Sequence, residues 1–133
     1  MTGTRVRSRR GRGLTQLPFL ALAGARMIRK LRRRRPDVIH AVDLPMLVVA
    51  LAARLFLFPA RPAVVYDAFE IYQVMVAHRF PRPVLAVIGA LERALPRRAS
   101  LVIAPGEARA RWFTQHGIDA VCVPNWVDAP DTA

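Results

Sequence analysis

The chain has 133 residues, of which 53% are hydrophobic. That is enough for one domain with one sizeable core, and too apolar for an intrinsically disordered chain. The net charge is +12, but residues 1–35 hold 12 Arg or Lys and no Asp or Glu, whereas the remainder holds nine bases and nine acids. A single cysteine, Cys122, excludes a disulfide framework within the chain and fits a reducing compartment.

Residues 1–13 show no apolar periodicity and are expected to form a basic, disordered arm. Between residues 14 and 35, Leu17, Leu20, Ala21, Met27, Ile28 and Leu31 recur at three- and four-residue steps. This spacing predicts an amphipathic helix with an arginine-covered back, stopped by Pro36. A basic block of this kind attracts the phosphates of lipids or nucleic acid. The run 17–25 imitates the apolar part of a signal peptide, but it is short and basic residues resume at Arg26, so a helix of the domain is the better reading.

Residues 37–42 are a β-branched run and predict a buried strand. Residues 44–58 are apolar nearly all round; Arg54 and Pro59 argue for a helix packed on a sheet over a membrane span. Residues 63–67 predict a second strand, followed by a mixed segment. A helix is expected over 83–95, with a core face of Leu85, Val87 or Ile88, Leu91 and Leu95. Residues 100–104 predict a third strand, with Pro105 and Gly106 as its turn. A short helix then spans 107–116, with Glu107 at its amino end and Gly117 just past its carboxyl end. Residues 120–123 predict a fourth strand, in which Cys122 behaves as a small hydrophobe.

Short apolar strands alternating with helices imply an α/β domain built on a doubly wound parallel sheet covered on both faces. Such sheets bind ligands beyond the carboxyl ends of their strands. The residues to interrogate are therefore 40–43, 67–72, 105–107 and 124–128, and each group holds a polar or charged side chain. No nucleophile elbow, phosphate loop or zinc-protease motif is present, and His40, His78 and His116 lack metal-ligand spacing, so no metal site is expected.

Four segments carry more information together than singly. They are RPDVIHAVD at 35–43, VVYDAFEIY at 64–72, ASLVIAPGE at 99–107 and VPNWVD at 123–128. Their order and spacing over about residues 20–128 resemble the N-terminal domain of GT-B glycosyltransferases of family 4, which commonly show RPDVIHAHD, DAHELY, a strand ending in Ser-Glu, and PNGVD. The resemblance implies a Rossmann-like half of a GT-B fold. It further implies a cytoplasmic transferase that moves a sugar from a nucleotide-sugar donor to a glycan or lipid-linked acceptor, with no cofactor. In that family the N-terminal domain mainly holds the acceptor.

Carried over residue by residue, the resemblance makes Asp67 and Glu70 the catalytic candidates. His40, Asp43, Tyr72, Gly106, Glu107 and Asn125 become the substrate-binding candidates. The sequence departs from the family pattern in four places: Val42 and Phe69 stand where histidines are usual, Gly106 replaces a serine, and Trp126 replaces a glycine. A similar YDxFDFY version exists in the family, so Phe69 is compatible with activity. Each candidate also has a structural alternative: Asp67 as a turn or helix cap, Glu70 as a solvated carboxylate, His40 as a core histidine, Tyr72 as packing and Asn125 as a turn former.

The expected organisation is a basic arm (1–13), a partial N-terminal domain (14–128) and a tail (129–133). On this reading the chain is a fragment, a split subunit or a decayed copy, inactive alone and completed by a separate donor-binding chain. An anionic membrane surface is an expected partner of the basic region, and nucleic acid is not. The alternatives are a non-catalytic partner subunit and a small basic membrane-associated protein.

Overall fold

The structure is a computed structural model that describes residues 17–57 and 61–124. The expected arm (1–13), the tail (129–133) and Asn125 lie outside the described residues, as does Trp126. Helix α1 (Leu17–Arg34) leads into strand β1 (Val38–Val42), and α2 (Asp43–Phe56) returns the chain to β2 (Ala63–Asp67). A single turn of helix, α3 (Tyr72–Met75), precedes α4 (Arg82–Ala94) and a 3₁₀ turn (Pro96–Arg98). Strand β3 (Leu101–Ala104), helix α5 (Glu107–Gln115) and strand β4 (Val121–Cys122) complete the order. Each expected strand and long helix forms within a few residues of its expected bounds; α3 lies in the segment that the sequence leaves mixed.

The four strands are parallel and follow chain order, β1-β2-β3-β4. That order decides how the sheet is covered. Right-handed crossovers that step repeatedly in one direction put their helices on the same face. Side chains on that face are buried: Ala41 in β1, Val64 and Tyr66 in β2, Val102 and Ala104 in β3. They meet Leu44, Leu47 and Ala50 of α2 and Phe113 of α5 in one core. The alternate residues face the other way, and Val38, Val42, Leu101 and Val121 stay exposed. Where the sequence suggests cover on both faces, the described residues cover one.

Local chemistry fixes the helix ends. Gly117 has φ +67, and the Gly117 and Ile118 amides donate to the Thr114 and Phe113 carbonyls at 2.9 and 3.0 Å. This is a Schellman close on α5, and the left-handed position suits glycine. The buried side chains of Ile118 and Phe113 supply the accompanying apolar contact.

On α4 the buried positions are Gly89 and Glu92, with Ile88 and Leu95 packed against the core. Of the expected Val87 or Ile88, it is Ile88 that packs inward, and Val87 is exposed; Leu91, expected in the core, is exposed, which corrects that expectation. A side chain on Gly89 would meet only the flexible end of the Gln73 side chain, which lies over the glycine where α3 and α4 touch. Among the described residues no helix is long and apolar enough to cross a membrane.

Candidate functional site

The carboxyl ends of β1 and β2 bring several of the expected residues together. In register, His40 lies beside Val65, and Val42 beside Asp67. His40 and Asp67 therefore share a face of the sheet, and His40 Nε2 lies 3.3 Å from Asp67 Oδ2. Both groups remain in contact with solvent, at 54% and 27% side-chain exposure, so the pair can meet a ligand without unpacking the core.

Asp43 follows β1 immediately and opens α2 with φ +62. Asp tolerates the left-handed region better than most residues because its short side chain bonds locally. The bend turns the chain from strand to helix within one residue and keeps Asp43 at the sheet end. Burial holds the Asp43 carboxyl above its ordinary range, helped by the negative charges of Glu70 and Asp67. The carboxylates of Glu70 and Asp67, from the next strand end, thus both act on Asp43. Tyr72 belongs to the same cluster: burial raises its phenol, Asp43 adds to the rise, and Arg79 opposes it.

Glu92 has a role here that the sequence reading missed. It is fully buried, yet it is a carboxylate on an otherwise apolar stripe. Its two oxygens accept the backbone N–H groups of Tyr72 and, at 3.0 Å, Gln73. These are the free donors at the start of α3. Glu92 so anchors the end of the loop that begins at Asp67 and carries Glu70. Burial raises its pKa, the two amides and Arg93 oppose the rise, and Asp43 adds to it. The available signal was its spacing, four residues from Ile88 and three from Leu95, which puts a carboxylate on the core side.

Tyr66 lies beneath the cluster on the covered face. Its ring meets Phe113 edge-on at 6.3 Å, and its hydroxyl is buried without a hydrogen-bond partner among the described residues. Burial first, then the charges of Glu92, Asp43 and Asp67, push that phenol strongly upward.

Gly106 and Glu107 stand apart from this group. They begin α5 after β3, and Glu107 pairs with Arg111 one turn along at 3.1 Å. A Cβ on Gly106 would meet open space, so packing does not demand glycine there. Phe69, between Asp67 and Glu70, is exposed. His116 closes α5, with Nδ1 2.8 Å from the Trp112 carbonyl oxygen and its ring 4.4 Å from that of Trp112. Cys122 is half-buried. Among the described residues no three His, Cys, Asp or Glu side chains are grouped to hold a metal ion.

An imidazole, three carboxylates and a phenol around one sheet end suit hydroxyl groups: carboxylates accept their hydrogen bonds, and one of them can take a proton. No curated protein and no solved structure gives a significant match to this chain. The family model for Glycosyltransferase Family 4 matches residues 1–130. With the four motifs, the parallel sheet and the carboxylate cluster at its carboxyl end, the chain belongs to glycosyltransferase family 4.

Proposed function

We propose that this chain provides the acceptor side of a GT-B glycosyltransferase, in which a sugar passes from a nucleotide-sugar donor to a hydroxyl of a glycan or lipid-linked acceptor. The observation that carries the reading is the pairing of Asp67 with His40, with the charges of Asp67 and Glu70 acting on Asp43. Asp67 and Glu70 accept hydrogen bonds from the acceptor, and one of them takes the proton of the attacking hydroxyl. His40 holds the Asp67 carboxylate in position. Asp43 and Tyr72 line the acceptor pocket, and Glu92 keeps the Glu70 loop in place through its two amide contacts.

Gly106 and Glu107 at the start of α5, together with Asn125, contribute to the donor side. The clustered groups suit hydroxyls better than a diphosphate, so the donor's leaving group is held by cationic side chains supplied by a separate domain or chain. The protein works in the cytoplasm, attached to an anionic membrane surface through the basic N-terminal third. Electrostatic attachment of this kind weakens with salt.

The test is transfer activity after reconstitution with a donor-binding domain. Asp67→Asn and Glu70→Gln keep shape and remove charge, and each is expected to lower kcat by about 100-fold or more. The chain assayed without that domain is expected to show no turnover. Rates within about twofold of the parent for both variants, under ~0.5 kcal/mol of barrier, would remove the two acids from the mechanism.

A further inference from the structure

All strands run the same way, so the molecule has an end where every strand begins and an end where every strand finishes. The finishing end carries Asp43, Asp67 and Glu70. Arg79, Arg82 and Arg109 also lie toward that end, so its charge is mixed, whereas the beginning end is predominantly basic. There α1 delivers residues 32–35, all arginine and all exposed, just before β1. The 3₁₀ turn delivers exposed Arg97 and Arg98 before β3.

Helix α2 also finishes at this end, on Leu55 and Phe56, which are 77% and 62% exposed. The Arg54 guanidinium donates to the Arg98 carbonyl at 3.1 Å, and this contact holds the apolar pair beside the arginines of the 3₁₀ turn. Arg97 in turn donates to the His116 carbonyl at 2.6 Å, which ties the turn to the end of α5. Among the described residues the acids on this side are Asp37 and Asp119, so bases dominate.

We propose that this amino end of the sheet docks on an anionic bilayer. Leu55 and Phe56 enter the headgroup layer, the arginines spread among lipid phosphates, and the carboxylate cluster faces away from the lipid, an orientation that fits the glycan acceptor of the two named above. The inference rests on the membrane attachment read above and adds to it a face and an orientation. Arginines alone would serve lipid or nucleic acid equally. An exposed leucine–phenylalanine pair at the tip of a helix gains free energy where hydrocarbon is within reach, and this favours the bilayer. The orientation follows from charge: a five-residue strand spans about 16 Å, so docking by this end keeps the three acids well away from a negative surface.

Spin labels on the full chain test the face directly. In a Cys122→Ser background, one label is attached at Leu55→Cys and, in a second sample, at Phe69→Cys near the opposite end. Vesicles are phosphatidylcholine alone or with about 30 mol% phosphatidylglycerol. The chain is expected to bind the anionic vesicles only. The label at 55 should then become accessible to oxygen and shielded from an aqueous nickel complex, while the label at 69 stays open to nickel.

The paired change Leu55→Ser and Phe56→Ser should weaken vesicle binding about tenfold. Glutamine at Arg5, Arg7, Arg9, Arg10 and Arg12 should leave the label at 55 immersed. Three results overturn the face while leaving membrane attachment intact: a label at 69 that is immersed instead, unchanged binding by the serine pair, or loss of immersion at 55 in the glutamine variant. Absence of binding to anionic vesicles overturns attachment itself. Duplex DNA binding that equals or exceeds vesicle binding assigns the face to nucleic acid and removes lipid as its partner.

Discussion

Val64 and Val65 are neighbours in β2 and differ in fate: the first is fully buried beneath the helices, and the second faces the open side with His40 and Leu101 as its register partners. The same contrast runs across the sheet. One face holds Ala41, Val64, Tyr66, Val102 and Ala104 in the core; the other leaves Val38, Val42, Leu101 and Val121 exposed. Strand order causes the difference, since helices that follow a one-directional walk of strands accumulate on one side. The covered face contributes stability. The open face carries the His40–Asp67 pair, two polar groups that would be costly to enclose and are useful in contact with ligand.

The contrast predicts unequal costs of mutation. Leu47→Ala, which empties a fully buried site of α2 above the covered face, is expected to cost about 3 kcal/mol. Val121→Thr on the open face, where the side chain is half exposed, should change stability by no more than about 0.5 kcal/mol. Urea denaturation of both variants measures the gap. Comparable losses would mean that the open face is also packed in solution.

A smaller effect is expected at the bend between strand and helix. Asp43→Ala places an ordinary residue at φ +62 and should cost about 1–2 kcal/mol, while Asp43→Asn keeps a residue that tolerates this region and should be nearly neutral for the backbone. Equal stability of the two variants would show that the bend relaxes when the side chain is lost.

Smaller again is the effect of Tyr66→Phe. The hydroxyl is buried without a partner, so its removal should raise stability by about 1 kcal/mol. A loss of stability would reveal a hydrogen bond to that hydroxyl in solution and make the covered face more polar than it looks.

Short continuous runs of apolar and β-branched residues made the strands legible, and the Gly117 stop and the Glu107 start of α5 were readable from capping preferences. The cluster of Asp43, Asp67 and Glu70 was legible only because parallel strands put successive strand ends on one side. One-sided cover was not, because composition and periodicity do not state strand order. Glu92 escaped notice because a carboxylate among helical residues ordinarily faces water. Its partners, the amides of Tyr72 and Gln73, lie about 20 residues away in a segment with no clear period. The short helix α3 escaped for the same reason: the amides of its first turn are held by Glu92.

The weakest effect expected is in the pH dependence of stability, and it isolates the charge that collects at the site. Asp43 has a folded-state pKa above its ordinary value, from burial first and from Glu70 and Asp67 second. The folded protein therefore binds more protons than the unfolded chain between the two pKa values, so stability falls as pH rises through that window. It starts near the ordinary aspartate value of about 4 and ends at the raised value. Above the window the penalty is complete and stability is flat with respect to this group. Glu92 also has a raised pKa, so the parent curve alone does not isolate Asp43. The difference between the parent and Asp43→Asn does, because the amide removes the titration and keeps the backbone geometry. With rising pH the parent should lose stability relative to Asp43→Asn across the window, and the two curves should run parallel above it. Urea midpoints at half-unit steps between about pH 4 and pH 7 measure this. A difference that stays constant with pH would mean that Asp43 is solvated in solution and does not feel the charges of Glu70 and Asp67.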